Sequence, residues 1–167
     1  MIKISVLIAV YNTESFLPKC LDSLREQRLR DFQVICVDDC STDNSLAILK
    51  EYEAKDDRFT VISLDKNMGQ AHARNIALQK AEGEYVMFLD SDDWIEPETY
   101  ETMLGLALEY NAKMVCVGRY DVDAETMEKT VGLCPQKEEV ISGIEMLGRV
   151  FVWDNCDSSS CDKLFHR

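Results

Sequence analysis

The 167-residue chain predicts an α/β fold, a mainly parallel sheet flanked by helices. Two observations carry the prediction. Short apolar, β-branched runs alternate with helix-period segments at intervals of roughly 25 residues, the spacing of strand–helix–strand units. Polar clusters then follow three of the apolar runs, at residues 11–14, 38–43 and 90–93. Right-handed crossovers between parallel strands gather those clusters on one edge of the sheet.

The elements follow in order. Residues 4–10 (ISVLIAV) read as a buried strand; the Lys within the N-terminal run and the lack of a cleavage pattern argue against a signal peptide. Residues 15–27 read as a helix with Phe16, Cys20, Leu21 and Leu24 on one side, and Pro18 is tolerated in its first turn. Residues 32–37 form the second strand. Asp43 is placed to cap the next helix, which carries Leu46, Leu49 and Tyr52. Residues 59–64 give a third strand and residues 69–81 an alanine-rich helix with Ala73, Ile76 and Ala77 inward. Residues 85–89 are the fourth strand. Residues 97–110 follow as a helix facing inward through Tyr100, Met103, Leu104 and Ala107, and residues 114–117 are a fifth strand. Beyond Arg119 the periodicity weakens: residues 121–137 read as a hairpin or loop, 144–151 as a helix, and 154–160 as an irregular polar stretch.

Composition narrows the function. There are 31 acidic residues against 18 Lys plus Arg, a net charge of −13, which repels phosphate backbones and argues against nucleic acid as a partner. Of the acids, 21 lie in the first 109 residues, against 11 bases, so the carboxylate excess sits where the strand–helix pattern is clearest. No window approaches the roughly 18 uninterrupted apolar residues of a spanning helix. Seven cysteines without a C-x-x-C read as reduced thiols of a cytoplasmic protein, rather than a zinc site or a disulfide framework.

The C-terminal edge of the strands is where open α/β sheets bind ligands. Each polar cluster alone is equally compatible with ordinary turns and helix caps. Asp90-Ser91-Asp92-Asp93 stands out, because three carboxylates in four residues repel one another unless a cation neutralises them. Hard oxygen ligands suit Mg²⁺ or Mn²⁺, which also bind phosphate oxygens and stabilise a departing diphosphate as Lewis acids. A phosphoryl-accepting receiver domain fits poorly, since the first strand ends in Tyr11-Asn12 and the third in Asp65-Lys66-Asn67. A haloacid-type phosphatase, with D-x-D-x-T/V usually after its first strand, fits poorly too, since Trp94 follows Asp93 at the fourth. A dinucleotide-dependent dehydrogenase lacks its G-x-G-x-x-G here.

Six motifs in order then resemble the family 2 glycosyltransferases. They are residues 5–12 (SVLIAVYN), 37–43 (VDDCSTD), Asn67-x-Gly69, Ala73-Arg74-Asn75, residues 81–85 (AEGEY) and residues 88–93 (FLDSDD). The resemblance covers roughly the first 110 residues. It implies a GT-A (Rossmann-like) fold that binds a nucleotide-diphosphate sugar, most often a UDP-sugar, with a divalent metal (Mn²⁺ or Mg²⁺), and inverts the anomeric carbon. Carried over by position, Tyr11, Asn12 and Glu14 resemble the lip of the nucleotide pocket. Asp39 resembles the acid that accepts from the base, with Asp38 serving loop structure. Asn67, Gly69 and Arg74 resemble the third strand-to-helix junction. There Gly69 admits close backbone approach, and Arg74 either faces the nucleotide or salt-bridges the acidic edge. Asp90 resembles the group near the ribose or a metal water, Asp92 the direct metal ligand, and Asp93 a loop-holding residue. Trp94 either walls the sugar pocket or simply packs.

The resemblance also implies a division of the chain. Residues 1–118 would be the nucleotide-sugar-binding core and 119–167 an incomplete acceptor-side portion. Residues 163–167 (KLFHR) look like the segment that precedes the family's catalytic base, so that base is expected beyond Arg167, and the chain is expected to bind donor without transferring it. Asp154, Asp157 and Asp162 do not match the base's position. The acceptor implied is a glycan or a lipid-linked molecule, with the full-length protein at the inner face of the cytoplasmic membrane. The alternative is a non-catalytic nucleotide-sugar-binding module.

Overall fold

The computed structural model describes residues 1–123, 125–133, 140–142, 161 and 163–167. Its elements are β1 (Ile4–Val10), α1 (Leu17–Arg25), β2 (Phe32–Asp38), α2 (Ser45–Lys55), β3 (Phe59–Ser63), α3 (Gln70–Gln79), β4 (Tyr85–Phe88), α4 (Thr99–Glu109), β5 (Met114–Cys116), β6 (Arg119–Val122), β7 (Lys129–Leu133) and β8 (Lys163–His166). Six strands form one sheet in the order β3-β2-β1-β4-β8-β5, and β6 and β7 form a separate hairpin. β1 pairs in parallel with β2 and β4, and β2 with β3. β8 runs antiparallel between β4 and β5.

The period-two alternation of β1 explains the layers. Ile4, Val6, Ile8 and Val10 join Leu17, Leu21 and Leu24 of α1, Leu49 of α2, and Tyr100, Met103 and Ala107 of α4 on one face. Leu7 joins Ile35, Val37 and Val86 under Ala73 and Ala77 of α3 on the other. A central strand buried on both faces has to be apolar throughout, apart from Ser5, and this one is. Ser5 is satisfied by accepting from Gly83 N at 2.8 Å and donating to Gln33 Oε1 at 2.9 Å.

The helices start and stop within a few residues of their predicted limits. Phe16 departs from expectation: it precedes the helix, in a turn whose Phe16 and Leu17 amides both donate to Thr13 O, and its ring is 50% exposed. Asp43 lies one residue before the α2 N-cap, Asn44, and accepts from Ser45 N at 2.9 Å. Residues 121–137, expected as a hairpin or a loop, contribute to the β6–β7 hairpin over their described part. The helix expected over residues 144–151, the polar stretch, and Asp154, Asp157 and Asp162 lie outside the described residues. Buried Gln27 fastens α1 to the start of α4, donating to Glu96 O (2.8 Å) and accepting from Tyr100 N (3.2 Å).

At the head of β3, Arg58 holds Asp56 through two hydrogen bonds of 2.9 and 2.6 Å, and this keeps the Asp56 carboxyl below its ordinary range. A carboxyl whose folded pKa lies below its unfolded value stabilises the fold fully above about pH 4, and that stabilisation is lost as pH falls through the folded value. Asp56→Asn is therefore expected to flatten the acid limb of the stability–pH curve, measured by urea unfolding between pH 2 and pH 6. An unchanged limb would refute the assignment.

Candidate donor site

β1 to β5 all point their C-terminal ends the same way, and the chain reverses direction across the sheet at β1, leaving for β2 on one side and returning to β4 on the other. That switch point holds a cleft of about 380 Å³ lined by Ala9, Val10, Tyr11, Thr13, Asp39, Asn67, Gly69, Gln70, Ser91 and Asp92. Tyr11, Asp39, Asn67, Gly69 and Asp92 were expected there from the sequence. Thr13, Gln70 and Ser91 were not singled out, and their neighbours in the motifs were the only available signal.

Asn12 and Glu14 do not line the cleft. They clasp the loop after β1 to the loop after β2. Asn12 Oδ1 accepts from Thr42 N (2.8 Å), and Asn12 N donates to Ser41 Oγ (3.1 Å). Glu14 Oε2 accepts from both Asn44 N and Asn44 Nδ2 at 2.8 Å, while Glu14 N donates to Asp43 Oδ2 at 3.0 Å. Burial works against ionisation of Asp43, yet the hydrogen bonds from Ser45 and Glu14 hold its carboxyl below the usual range. Asn12 and Cys40 take positive φ (52° and 62°), a left-handed conformation that non-glycine residues adopt at some cost and that here serves the clasp.

Asp39 is 2% exposed, and its two oxygens accept from Met68 N and Gly69 N, each at 2.7 Å. One carboxylate thus pins the β3–α3 loop that brings Asn67 and Gly69 to the cleft. Each oxygen keeps a second lone pair for a ligand. Asp38 is buried as well; its Oδ2 accepts from Ser41 N at 3.2 Å and its Oδ1 has no hydrogen-bond partner among the described residues. Gly69 has φ +88°, and a Cβ there would meet nothing within 4 Å. Backbone conformation therefore requires the glycine, and crowding does not.

Arg74 makes a salt bridge to Asp90. Its Nη2 lies 2.6 Å from Asp90 Oδ1, its buried Nε has no hydrogen-bond partner among the described residues, and the guanidinium sits 5.5 Å from the Phe88 ring centroid. Gln70 Nε2 donates to the same Asp90 oxygen at 3.1 Å. Asp92 is exposed at the cleft rim. Asp93 is held above its ordinary value by partial withdrawal from water and by the charges of Asp92 and Asp90. Trp94 packs under Lys19, whose Nζ is 3.2 Å from the ring centroid, and is not among the cleft residues.

Among the described residues no three His, Cys, Asp or Glu side chains are grouped to hold a metal ion by themselves. The donor set nevertheless fits a cation of one kind. Mg²⁺ and Mn²⁺ at phosphate sites are held by one or two carboxylates, with phosphate oxygens and water completing the shell. Asp92 offers such a carboxylate, while Asp90 is engaged by Arg74 and Gln70.

An open α/β sheet with an acid-lined cleft at its switch point defines a protein that binds its ligand at the strand ends. The chain belongs to glycosyl transferase family 2, whose sequence profile it matches over residues 5–166. It is 38% identical over 157 residues to the Bacillus subtilis protein EpsH, covering 90% of this chain and 45% of EpsH. Among solved structures it resembles Staphylococcus aureus TarS 1–349 in complex with UDP-GlcNAc (TM-score 0.80, 31% identity, 99% of this chain and 45% of that one). It also resembles the mannosyltransferase PcManGT of Pyrobaculum calidifontis in complex with GDP-Man and Mn²⁺ (TM-score 0.63, 26% identity, 70% and 36%). The fold is thus the GT-A architecture of these glycosyltransferases, and the chain spans less than half the length of each of these relatives. Among the described residues no helix is long and apolar enough to cross a membrane.

Proposed function

We propose that this chain binds a UDP-sugar in the cleft between β1 and β4, as the donor part of a metal-assisted, inverting transfer to a glycan or lipid-linked acceptor. The carrying observation is that Asp39, the Asn67–Gly69 loop and Asp92 converge on one cleft, in a fold matched by UDP-GlcNAc-bound TarS. In this reading Asp39 accepts from the N3–H of uracil, and Tyr11 and Asn67 flank the base. Asp90, oriented by Arg74, faces the ribose. Asp92 would hold the cation, which when bound supplies Lewis-acid stabilisation of the leaving diphosphate. The base that takes the acceptor's proton is not assigned among the described residues.

One carboxylate is too little to bind a cation tightly, so Mn²⁺ alone is expected to leave the melting temperature unchanged, and UDP with Mn²⁺ to raise it. At 100 times Kd the gain is about 2.7 kcal/mol. For a chain of this size that corresponds to roughly 5–10 °C. Asp92→Asn should remove the Mn²⁺ dependence. Absence of any shift with UDP and metal would overturn the proposal, and a larger shift with GDP would reassign the base.

A further inference from the structure

We infer that Cys161 is a positioning residue of the donor cleft, its thiol fixing the second oxygen of Asp90. The inference rests on the proposed function, and its observations come from the strand topology. β8 is antiparallel to β4 with Tyr85 opposite His166, Val86 opposite Phe165 and Met87 opposite Leu164. Cys161 lies two residues ahead of β8 and Asp90 two residues beyond β4, at the same end of that ladder. There Cys161 Sγ donates to Asp90 Oδ2 at 3.1 Å, and Arg74 Nη2 lies 3.6 Å from the same sulfur.

The division of labour at Asp90 gives the thiol its role. Arg74 and Gln70 take Oδ1 at 2.6 and 3.1 Å, and Cys161 takes Oδ2. A guanidinium beside a carboxylate tends to close onto both oxygens in a two-pronged pair. The thiol holds Oδ2 out of that arrangement, so the carboxylate keeps a single-pronged bond to Arg74 and a fixed plane. Without the thiol, Asp90 is expected to rotate onto Arg74 and lose its orientation toward the nucleotide. Residues just ahead of β8 thereby set the geometry of a group that follows β4.

The test is calorimetric titration of UDP with Mn²⁺ into the wild-type chain and into C161A, C161S, D90N and D90N/C161A. Loss of one hydrogen bond to a charged group predicts about tenfold weaker binding for C161A, and a hydroxyl in its place should keep C161S within about threefold of wild type. In the D90N background C161A should add nothing, because residues acting through one contact are not additive. Equal binding by wild type and C161A, or effects that multiply in the double variant, would overturn the inference. If the wild-type chain binds no UDP, the proposed function falls, and the contact is then read without ligand. Alkylation of Cys161 by iodoacetamide, mapped by peptide mass, should be faster in D90A, where Asp90 no longer accepts from the thiol; equal rates would overturn the inference on that arm too.

Discussion

Asp39→Asn is expected to weaken UDP binding about 100-fold and to destabilise the ligand-free chain by about 2 kcal/mol. The substitution preserves size, so the effect isolates hydrogen-bond chemistry. The carboxylate accepts from two amides, Met68 N and Gly69 N, at 2.7 Å each. A carboxamide has one accepting oxygen, and its NH₂ would meet the other amide donor to donor, inside a site only 2% exposed. The loop bearing Asn67 and Gly69 would then lose one of its two fastenings at the cleft. Calorimetry with UDP and Mn²⁺ measures the first effect, and urea unfolding without ligand measures the second. Asp65→Asn is the control, an exposed acid on the same loop. If Asp39→Asn binds UDP like wild type, Asp39 is not a nucleotide contact; if its stability is unchanged, the two amides have found another acceptor.

Gly83→Ala carries the second large effect and separates fold from site. A Cβ at Gly83 would lie 2.7 Å from the backbone C of Ile4 and N of Ser5, and 2.9 Å from Ser5 Oγ. The two shortest contacts are to backbone, which cannot swing aside. β1 is the strand on which β2, β4 and both apolar layers are assembled, so it has little freedom to yield. Overpacking of this kind costs typically 1–3 kcal/mol, and backbone contact places it at about 3. A fall in melting temperature of roughly 6–12 °C is expected. The contact is at the edge of the sheet opposite the cleft, so UDP affinity should stay within about threefold of wild type wherever the variant remains folded. An unchanged melting temperature would mean that the β4 entry relaxes without strain, and a large affinity loss would mean that the two edges are coupled.

The parallel part of the fold was legible because β1, β2 and β4 are buried on both faces and are mostly apolar, with Ser5 and Gln33 the interruptions inside β1 and β2. β8 was not. Four residues, KLFH, give too short a run to distinguish a strand from a tail, and the insertion between β4 and β5 pairs segments far apart in sequence. The contribution of Cys161 was hidden for the same reason, since only the antiparallel pairing of β8 with β4 brings it to Asp90. The cleft divided along a similar line. Tyr11, Asp39, Asn67, Gly69 and Asp92 reach it from strand ends, as the topology requires. Asn12 and Glu14 stand in the same motifs, yet their side chains turn toward the neighbouring loop. A motif records which residues gather at a strand end without separating those that line the cleft from those that hold the loop behind it. Arg74 makes the same point, since its pairing with Asp90 follows from a helix rotation that spacing alone does not give.

The position of β8 also governs the order in which the sheet can be completed. Fifth of six in space and last in sequence among the described strands, it fills the slot between β4 and β5. Until residues 163–166 leave the ribosome, β4 presents an unpaired edge, and β5 has no hydrogen-bonded neighbour in the sheet. The cooperative unit therefore closes only once β8 has emerged, through contacts of long sequence separation that make folding slow and leave sticky edges exposed meanwhile. In this sheet, residues 163–166 decide when the nascent edge of β4 stops being a template for aggregation.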